Sequence, residues 1–539
     1  MCNGNKQEMR VSQSVFNAFP TCLLTSSVPL PQSSTETRHQ TGWHISSCES
    51  KSNQNKALSV FIMIGRKCLS QILVKPHRVW VRSYSSGHPR VSKMSPAWLQ
   101  TVLGPATKQD APEMYAWTLD NLEDRTPFSS PPASRPDDHH DNSHRRVYIL
   151  GVGNLGSLFA TSLASLPEPP PVTLVLHRKD LLLSWSENPG IEITRRGSVY
   201  KHLNFDVELW SEEPPRIGKV REVTEGQGIR NLIVATKASQ ALPEVDRVRR
   251  YLDENSTIAF AQNGMCKLWP PHGMTYTDYR FRDGSHPNWL ACVTTHGVTS
   301  LGRFKSVHAS EADIKIGPVY LNKSPGKSSG LSNLLSQAPN LNGRSVAQDE
   351  LWVLQLEKLV VNSIINPLTA ILRCKNGELF SKTESSLAEL IGVLLLEASN
   401  VLRALIKDQS TDAILQPVPR EAKSVQNAEV DRNSLDQRLG LLDRFSQPRL
   451  KEMLYDVGYK VRENTSSMLQ DVMAGKQTEI NEFNGWLVET AGYLDDNLDT
   501  THHQILVDLV RNNCLLNRES LLNHFPCLRD SKLAAARNQ

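Results

Sequence analysis

The stretch Val147-Tyr-Ile-Leu-Gly151-Val-Gly153-Asn-Leu-Gly156-Ser-Leu-Phe-Ala-Thr-Ser-Leu163 decides the fold of this chain. A short apolar run enters a G-x-G-x-x-G and an amphipathic stretch leaves it. This is the strand–turn–helix context of a dinucleotide-binding βαβ unit. Gly151 permits the tight turn, Gly153 lets the backbone approach a pyrophosphate, and Gly156 allows close packing of helix on strand. Gly151, Val152, Gly153, Asn154, Leu155 and Gly156 are therefore the candidate phosphate cradle, where free helical N–H groups and the dipole favour negative charge. A second apolar run, Val172-Thr-Leu-Val-Leu-His177-Arg178-Lys179, ends about 20 residues after the last glycine, where an NAD site places an acidic residue on the ribose hydroxyls. Arg178 and Lys179 suit a 2′-phosphate instead, so the expected cofactor is NADPH. The alternative for this basic pair is a solvated turn.

From 146 to about 345, strand-like runs alternate with helical stretches, the pattern of a doubly wound parallel sheet. Three further runs end in polar residues at Thr236-Lys237, Asn263-Gly264 and Thr294-Thr-His296-Gly297. Ligands of open α/β sheets bind beyond the carboxyl ends of the strands, so Lys237, Asn263 and His296 are candidate cofactor or substrate contacts. Each one alone also reads as a turn residue. After Ser345 the texture becomes helical, with long amphipathic segments around 348–365, 383–405, 448–473 and 478–494. A charged, Pro-bearing stretch at 416–447 reads as an insertion or long connection. The expected architecture is a Rossmann-type domain over 146–345 followed by an all-α domain over 346–530.

The first of those helices carries the chemistry: Trp352-Val-Leu-Gln-Leu-Glu-Lys358-Leu-Val-Val-Asn362-Ser-Ile-Ile-Asn366-Pro367-Leu-Thr-Ala. Lys358, Asn362 and Asn366 are four residues apart and share one face, while Leu, Val and Ile fill the rest. Buried ammonium and carboxamide groups are costly unless paired, and a substrate rich in oxygens would pair them. The alternative is a core helix whose lysine snorkels to solvent and whose asparagines cap turns. Pro367 is expected to end or kink the helix at Asn366 and leave free backbone groups there.

Composition bounds the rest. The chain has 539 residues, room for two or three domains, and a formal net charge of +4 that gives no argument for a nucleic-acid partner. Nine cysteines without CxxC pairs fit a reducing compartment and no zinc or other metal site. No apolar run reaches the roughly 18 residues needed to cross a bilayer. Residues 1–145 are rich in Ser, Pro, His and Thr and read as a disordered extension, with a linker at 129–141 and the folded protein starting near Arg146. Within the extension, 63–86 is basic and Ser-bearing, as a mitochondrial transit segment would be. Such a signal belongs at a terminus, so Met63 would then be the true start; an extension without an address is the alternative. A homodimer stays open as the assembly.

Taken together, Gly151-x-Gly-x-x-Gly156, Thr236-Lys237-Ala, Asn263-Gly-Met265, Thr294-Thr-His-Gly297, Glu357-Lys358-Leu-x-x-Asn362-x-x-x-Asn366-Pro-Leu-Thr-Ala, Asn376-Gly-Glu-Leu, Ser467-Met-Leu-Gln-Asp471 and Thr478-Glu479-Ile resemble the ketopantoate reductase (2-dehydropantoate 2-reductase) family in its own order. The resemblance covers 146 to about 515. It implies NADPH-dependent reduction of a small 2-oxo acid, 2-dehydropantoate to pantoate, on the route to pantothenate and coenzyme A. It implies Lys358 as proton donor, with Asn263, Asn362, Asn366, Asn376 and Ser467 holding the substrate. Gly151–Gly156, Lys237 and Glu479 would hold the NADPH. Cys266 after Asn-Gly-Met departs from the small residue usual there. Two other readings stand beside this one: a reductase of another 2-oxo acid on the same fold, and a non-catalytic mitochondrial factor, for which loss of the glycines or of Lys358 would be the sign.

Overall fold

The computed structural model describes residues 96–104, 111–123, 143–282, 284–322, 329–381, 385–415, 427–495 and 497–525. The strands are β1 (Tyr115–Trp117), β2 (Val147–Leu150), β3 (Val172–Leu176), β4 (Ile191–Arg195), β5 (Ser198–His202), β6 (Asp206–Ser211), β7 (Asn231–Val234), β8 (Thr257–Phe260), β9 (Asn288–Thr294), β10 (Gly297–Gly302), β11 (Lys305–Ser310), β12 (Ile314–Tyr320) and β13 (Gly343–Ser345). Helices of the first half are α1 (Ala97–Leu103), α2 (Asn154–Leu163), α3 (Lys179–Glu187), α4 (Ala238–Arg247), α5 (Gly273–Arg280) and α6 (Ser329–Gln337). The second half holds α7 (Gln348–Leu372), α8 (Ser386–Lys407), α9 (Asp412–Leu415), α10 (Asn427–Arg444), α11 (Gln447–Lys460), α12 (Ser467–Met473), α13 (Ile480–Leu494), α14 (Thr501–Arg511) and α15 (Arg518–Leu522).

Nine strands form one sheet in the order β1-β6-β3-β2-β7-β8-β9-β12-β13. From β6 across to β9 the neighbours are parallel. Every residue of β3, β7 and β8 is buried, as strands covered by helices on both faces must be. β2 has β3 on one side and β7 on the other, so the chain winds outward in both directions from it. The crevice at that switch point lies at the carboxyl end of β2, where the glycines stand. A second sheet, β10-β11-β4-β5, packs against α2. The helical half is built on α7, which packs against α11, α12, α13 and α14 and reaches β9 and β12 of the main sheet.

The expected α/β sheet followed by an all-α part is what the chain forms, but several boundaries differ. The folded protein begins before Arg146. Leu99 and Leu103, four apart on α1, are buried, and Ala116 of β1 enters the core as β1 pairs antiparallel with β6. A seven-residue helix and a three-residue strand are too short to declare themselves by periodicity, and tertiary pairing decides them. Helix α7 does not end at Asn366 but runs through Pro367 to Leu372, closing with Arg373 in the left-handed conformation. Proline removes the bond to the carbonyl four residues back, here Ser363, and the Asn484 side chain donates to that oxygen at 2.8 Å. The expected helix over 448–473 is two, α11 and α12, separated by a turn. Much of 416–447 is helix α10 rather than open connection, and its end is anchored by the buried Leu441 and Phe445. The stretches 63–86 and 129–141 lie outside the described residues. Among the described residues no helix is long and apolar enough to cross a membrane.

Candidate active site

The turn after β2 is shaped by its glycines. Gly151 has φ +94°, and a Cβ there would sit 2.9 Å from the backbone of Ala235 and Thr236. A Cβ on Gly156 would lie 2.0 Å from the Gly151 carbonyl oxygen, so the helix approaches the strand end this closely only because residue 156 is glycine. Gly153 differs: a Cβ there would meet nothing within 4 Å, leaving its backbone open to a ligand. Gly153 also caps α2, whose first residue Asn154 donates to the Val298 carbonyl at 2.9 Å. Val152 and Leu155 pack against the apolar core beneath. These features fit a dinucleotide phosphate at the helix N-terminus.

Arg178 sits at the carboxyl end of β3 as the cap residue of α3, exposed and ion-paired with Asp180 at 3.2 Å. Lys179 turns aside, its ammonium 5.3 Å from the ring centre of Trp117. Lys237 caps α4 and pairs with Asp471 of α12 at 2.7 Å, joining the sheet half to the helical half.

Lys358 lies at the ends of β8 and β9. Its ammonium donates to Asn263 Oδ1 at 3.0 Å and to the Thr294 carbonyl at 2.6 Å. Asn263 in turn donates through Nδ2 to Glu479 Oε2 at 3.3 Å. A donor-only ammonium on one side and an acceptor-only carboxylate on the other fix the orientation of the Asn263 amide. The loop carrying Asn263 is held against α13, because a Cβ at Gly264 (φ +81°) would come within 2.9 Å of the Glu482 carbonyl. The Lys358 ammonium is enclosed although the residue as a whole keeps some exposure. Burial lowers its pKa to about 8, and the charge of Glu479 opposes the fall.

Asn362 and Asn366 follow on the same face of α7, half-buried and buried respectively. Asn376 opens the 3-10 turn Asn376–Phe380 that packs on α7; it is buried, and its Oδ1 has no partner among the described residues. Ser467 begins α12 and is exposed. Its neighbour Ser466, which the motif reading passed over, is buried; it caps α12 by accepting from the Leu469 N–H and bonds Thr369 of α7 at 2.7 Å.

His296 does not face the crevice as a ligand contact. Its Nδ1 meets His308 Nε2 at 2.9 Å and accepts from the Ala312 N–H, and its Nε2 meets the Leu341 carbonyl at 3.0 Å. Both ring nitrogens are thus spent on protein groups, and burial pushes both imidazoles down, His308 to about 4. A strand-end position alone cannot tell such a structural histidine from a binding one.

Beside Lys358 a small gap, partly open to solvent and about the size of one water, is lined by Gln262, Gly264, Val293, Gln355, Lys358 and Leu359. Gln262 and Gln355 were not anticipated. Gln355 continues the Lys358–Asn362 stripe one turn toward the helix start, a signal that spacing carried. The Thr294 contribution is a backbone carbonyl, which no side-chain pattern announces.

The comparisons with known proteins agree with this geometry. Residues 147–320 match the family model "Ketopantoate reductase PanE/ApbA" and 350–513 match "Ketopantoate reductase PanE/ApbA C terminal". The chain is 40% identical to the ketoisovalerate reductase of Gibberella fujikuroi, over 78% of this chain and 96% of that one. It is 38% identical to the ketoisovalerate reductase of Beauveria bassiana, over 79% and 98%. It is 30% identical to the probable 2-dehydropantoate 2-reductase of Schizosaccharomyces pombe, over 69% and 97%. A chain with this crevice, this lysine and these relatives is an oxidoreductase and belongs to the ketopantoate reductase family.

Proposed function

We propose that the protein uses NADPH to reduce a branched 2-oxo acid to the 2-hydroxy acid, with ketoisovalerate as the first candidate. What carries the reading is the Lys358–Asn263–Glu479 chain at the ends of β8 and β9, beside the glycine crevice. The relatives of 40% and 38% identity support ketoisovalerate. A second reading, 2-dehydropantoate, is favoured by the row Asn362, Asn366 and Asn376, which offers more hydrogen bonds than an alkyl side chain can use. NADPH is preferred over NADH on the strength of Arg178 at the end of β3.

The residues act as follows. When bound, the reduced nicotinamide supplies the hydride. Asn263 and the Thr294 carbonyl occupy two N–H groups of the Lys358 ammonium and aim the third at the substrate's ketone oxygen. As that oxygen gains charge, Lys358 gives it a proton. Burial makes the ammonium a better acid than a free lysine, and Glu479 keeps enough of it charged to serve.

The test is to mix the full chain with NADPH or NADH and either 2-oxo acid and follow the absorbance of the reduced nicotinamide. Oxidation that depends on the 2-oxo acid and is faster with NADPH supports the reading. Binding of nucleotide without turnover of either acid removes the substrate assignment, and equal rates with both nucleotides remove the NADPH preference.

A further inference from the structure

We infer, resting on the reductase reading of the site, that Lys267 is a positioning residue for the proton donor: clamped to α13 under the indole of Trp98, it holds the loop that sets Asn263 against Lys358. The short helix α1, although outside both stretches that match the family models, thereby belongs to the working active site. The loop runs from the end of β8 to α5 and carries Asn263 near its start, where Oδ1 accepts from the Lys358 ammonium. Three contacts fasten it to the N-terminal end of α13. Asn263 donates to Glu479 at 3.3 Å, and a Cβ on Gly264 would come within 2.9 Å of the Glu482 carbonyl. Lys267 then pairs with the Glu482 carboxylate at 3.6 Å, the two side chains only 13% and 8% exposed. Of the three, the ion pair is the one whose loss strands a buried charge, which is costly.

Trp98 closes the clamp. Glu482 and Glu489 are seven residues apart, two turns of α13, and share one face of that helix. The Lys267 ammonium lies 4.7 Å from the centre of the Trp98 ring, where the face of an indole attracts a cation. The edge of the same indole donates Nε1–H to Glu489 Oε1 at 2.8 Å. One side chain thus covers the ammonium with its face and engages a second carboxylate with its edge. Burial pushes the carboxyl groups of Glu482 and Glu489 up, and Lys267 opposes the rise at each, as a cation serving both would. His272, at the far end of the loop, sets its ring against Trp98 at 6.3 Å and Tyr493 at 5.0 Å; burial takes its pKa down to about 4, so it brings no competing charge. Leu99 and Leu103 anchor α1 in the same core as Leu268 and Trp269 of the loop. Packing alone would be served by more residues of that kind, whereas a buried ion pair fixes one register between loop and helix.

The experiment measures kcat, KM and their pH dependence with NADPH and whichever of ketoisovalerate or 2-dehydropantoate the full-length wild type reduces faster. The variants are Lys267→Met, Lys267→Arg, Trp98→Phe and Leu103→Ala, with melting curves and NADPH titration alongside. Lys267→Met should lower kcat by about 10- to 100-fold, the scale of a small misplacement at a reacting group, with NADPH affinity unchanged. A loosened Asn263 also withdraws an acceptor from the Lys358 ammonium, so the descending limb of the profile should move to lower pH. Lys267→Arg keeps the charge over the ring and should recover most of the rate. Trp98→Phe keeps the ring face but loses the N–H, and should show both changes in weaker form. Leu103→Ala loosens α1 without touching the clamp and should leave the limb in place. A folded Lys267→Met with wild-type kcat and limb overturns the positioning role and leaves the reductase reading intact; so does a Leu103→Ala limb that moves as far. Where Lys267→Met fails to fold, Trp98→Phe decides by the same two readings. A folded wild type that reduces neither acid removes the reductase reading, and the positioning role with it.

Discussion

The proposed role of Lys358 places two opposed demands on one proton. A free lysine holds its proton too tightly to be a good acid near neutrality, while a lysine buried without help would lose its charge altogether. Enclosure brings the pKa to about 8 and Glu479, reaching it through Asn263, limits the fall. Lys358→Ala should therefore cut kcat by about two to four orders of magnitude with little change in NADPH affinity; near-normal turnover would end its role as proton donor. In the proposed mechanism the protonated form is the donor, and that sets the sign of the pH dependence. The kcat/KM for ketone reduction should be flat below about pH 8 and fall above it. Glu479→Gln removes the opposing charge, so the descending limb should move to lower pH; an unmoved limb would mean that Glu479 does not act on this lysine. The same depressed pKa has a consequence for stability. Between about 8 and the ordinary lysine value of 10.5 the unfolded chain binds the extra proton, so this group's contribution to stability grows as pH rises through that window.

At the scale of elements, α7 shows how a broken rule is repaired from outside. Proline inside a helix costs about 3 kcal/mol, part of it the bond it withholds from the carbonyl four residues back. Here the Asn484 side chain, fully buried on α13, donates to the Ser363 carbonyl and also meets His503 Nδ1 at 2.9 Å. Asn484→Ala should destabilise the protein by roughly 1–3 kcal/mol in denaturant titration. Combined with Pro367→Ala, which returns an N–H to Ser363, the penalty should shrink; strict additivity of the two changes would mean the side chain does not replace the missing bond. The helix continues past Asn366, so all three polar residues of the face belong to one element. The β3–α3 turn invites a second comparison. Lys179 lies over Trp117 while Arg178 stays exposed at the strand end. Arg178→Ala should weaken NADPH binding more than NADH binding, and more than Lys179→Ala does, as read by nucleotide titration; equal loss for both nucleotides would remove the 2′-phosphate contact.

For the whole molecule, the short α1 ties the two halves together. Trp98 Nε1 donates to Glu489 of α13 at 2.8 Å, Lys267 lies 4.7 Å from the Trp98 ring centre, and Arg280 of α5 donates to the Val102 carbonyl at 2.8 Å. Leu99 of this helix is fully buried. Leu99→Ala should therefore cost about 2–5 kcal/mol in unfolding free energy, the range for a buried leucine, whereas a residue in a loose extension would cost almost nothing. The sequence by itself determined the doubly wound sheet, the helical second half, the glycine turn after β2 and the polar face of α7. These rest on local causes: a glycine pattern between an apolar run and an amphipathic one, runs with a clear period, and side chains four apart on one helix. Only the tertiary structure decided that residues 96–104 and 111–123 belong to the folded protein, that α7 survives Pro367, and that His296 is bonded to His308 instead of facing the crevice. It alone brought Gln262, 96 positions before Lys358 in the chain, to that lysine's side. Each of these outcomes depends on a tertiary partner — a strand or a donated side chain about a hundred residues off, or an imidazole 12 positions on across a hairpin — that no local pattern records.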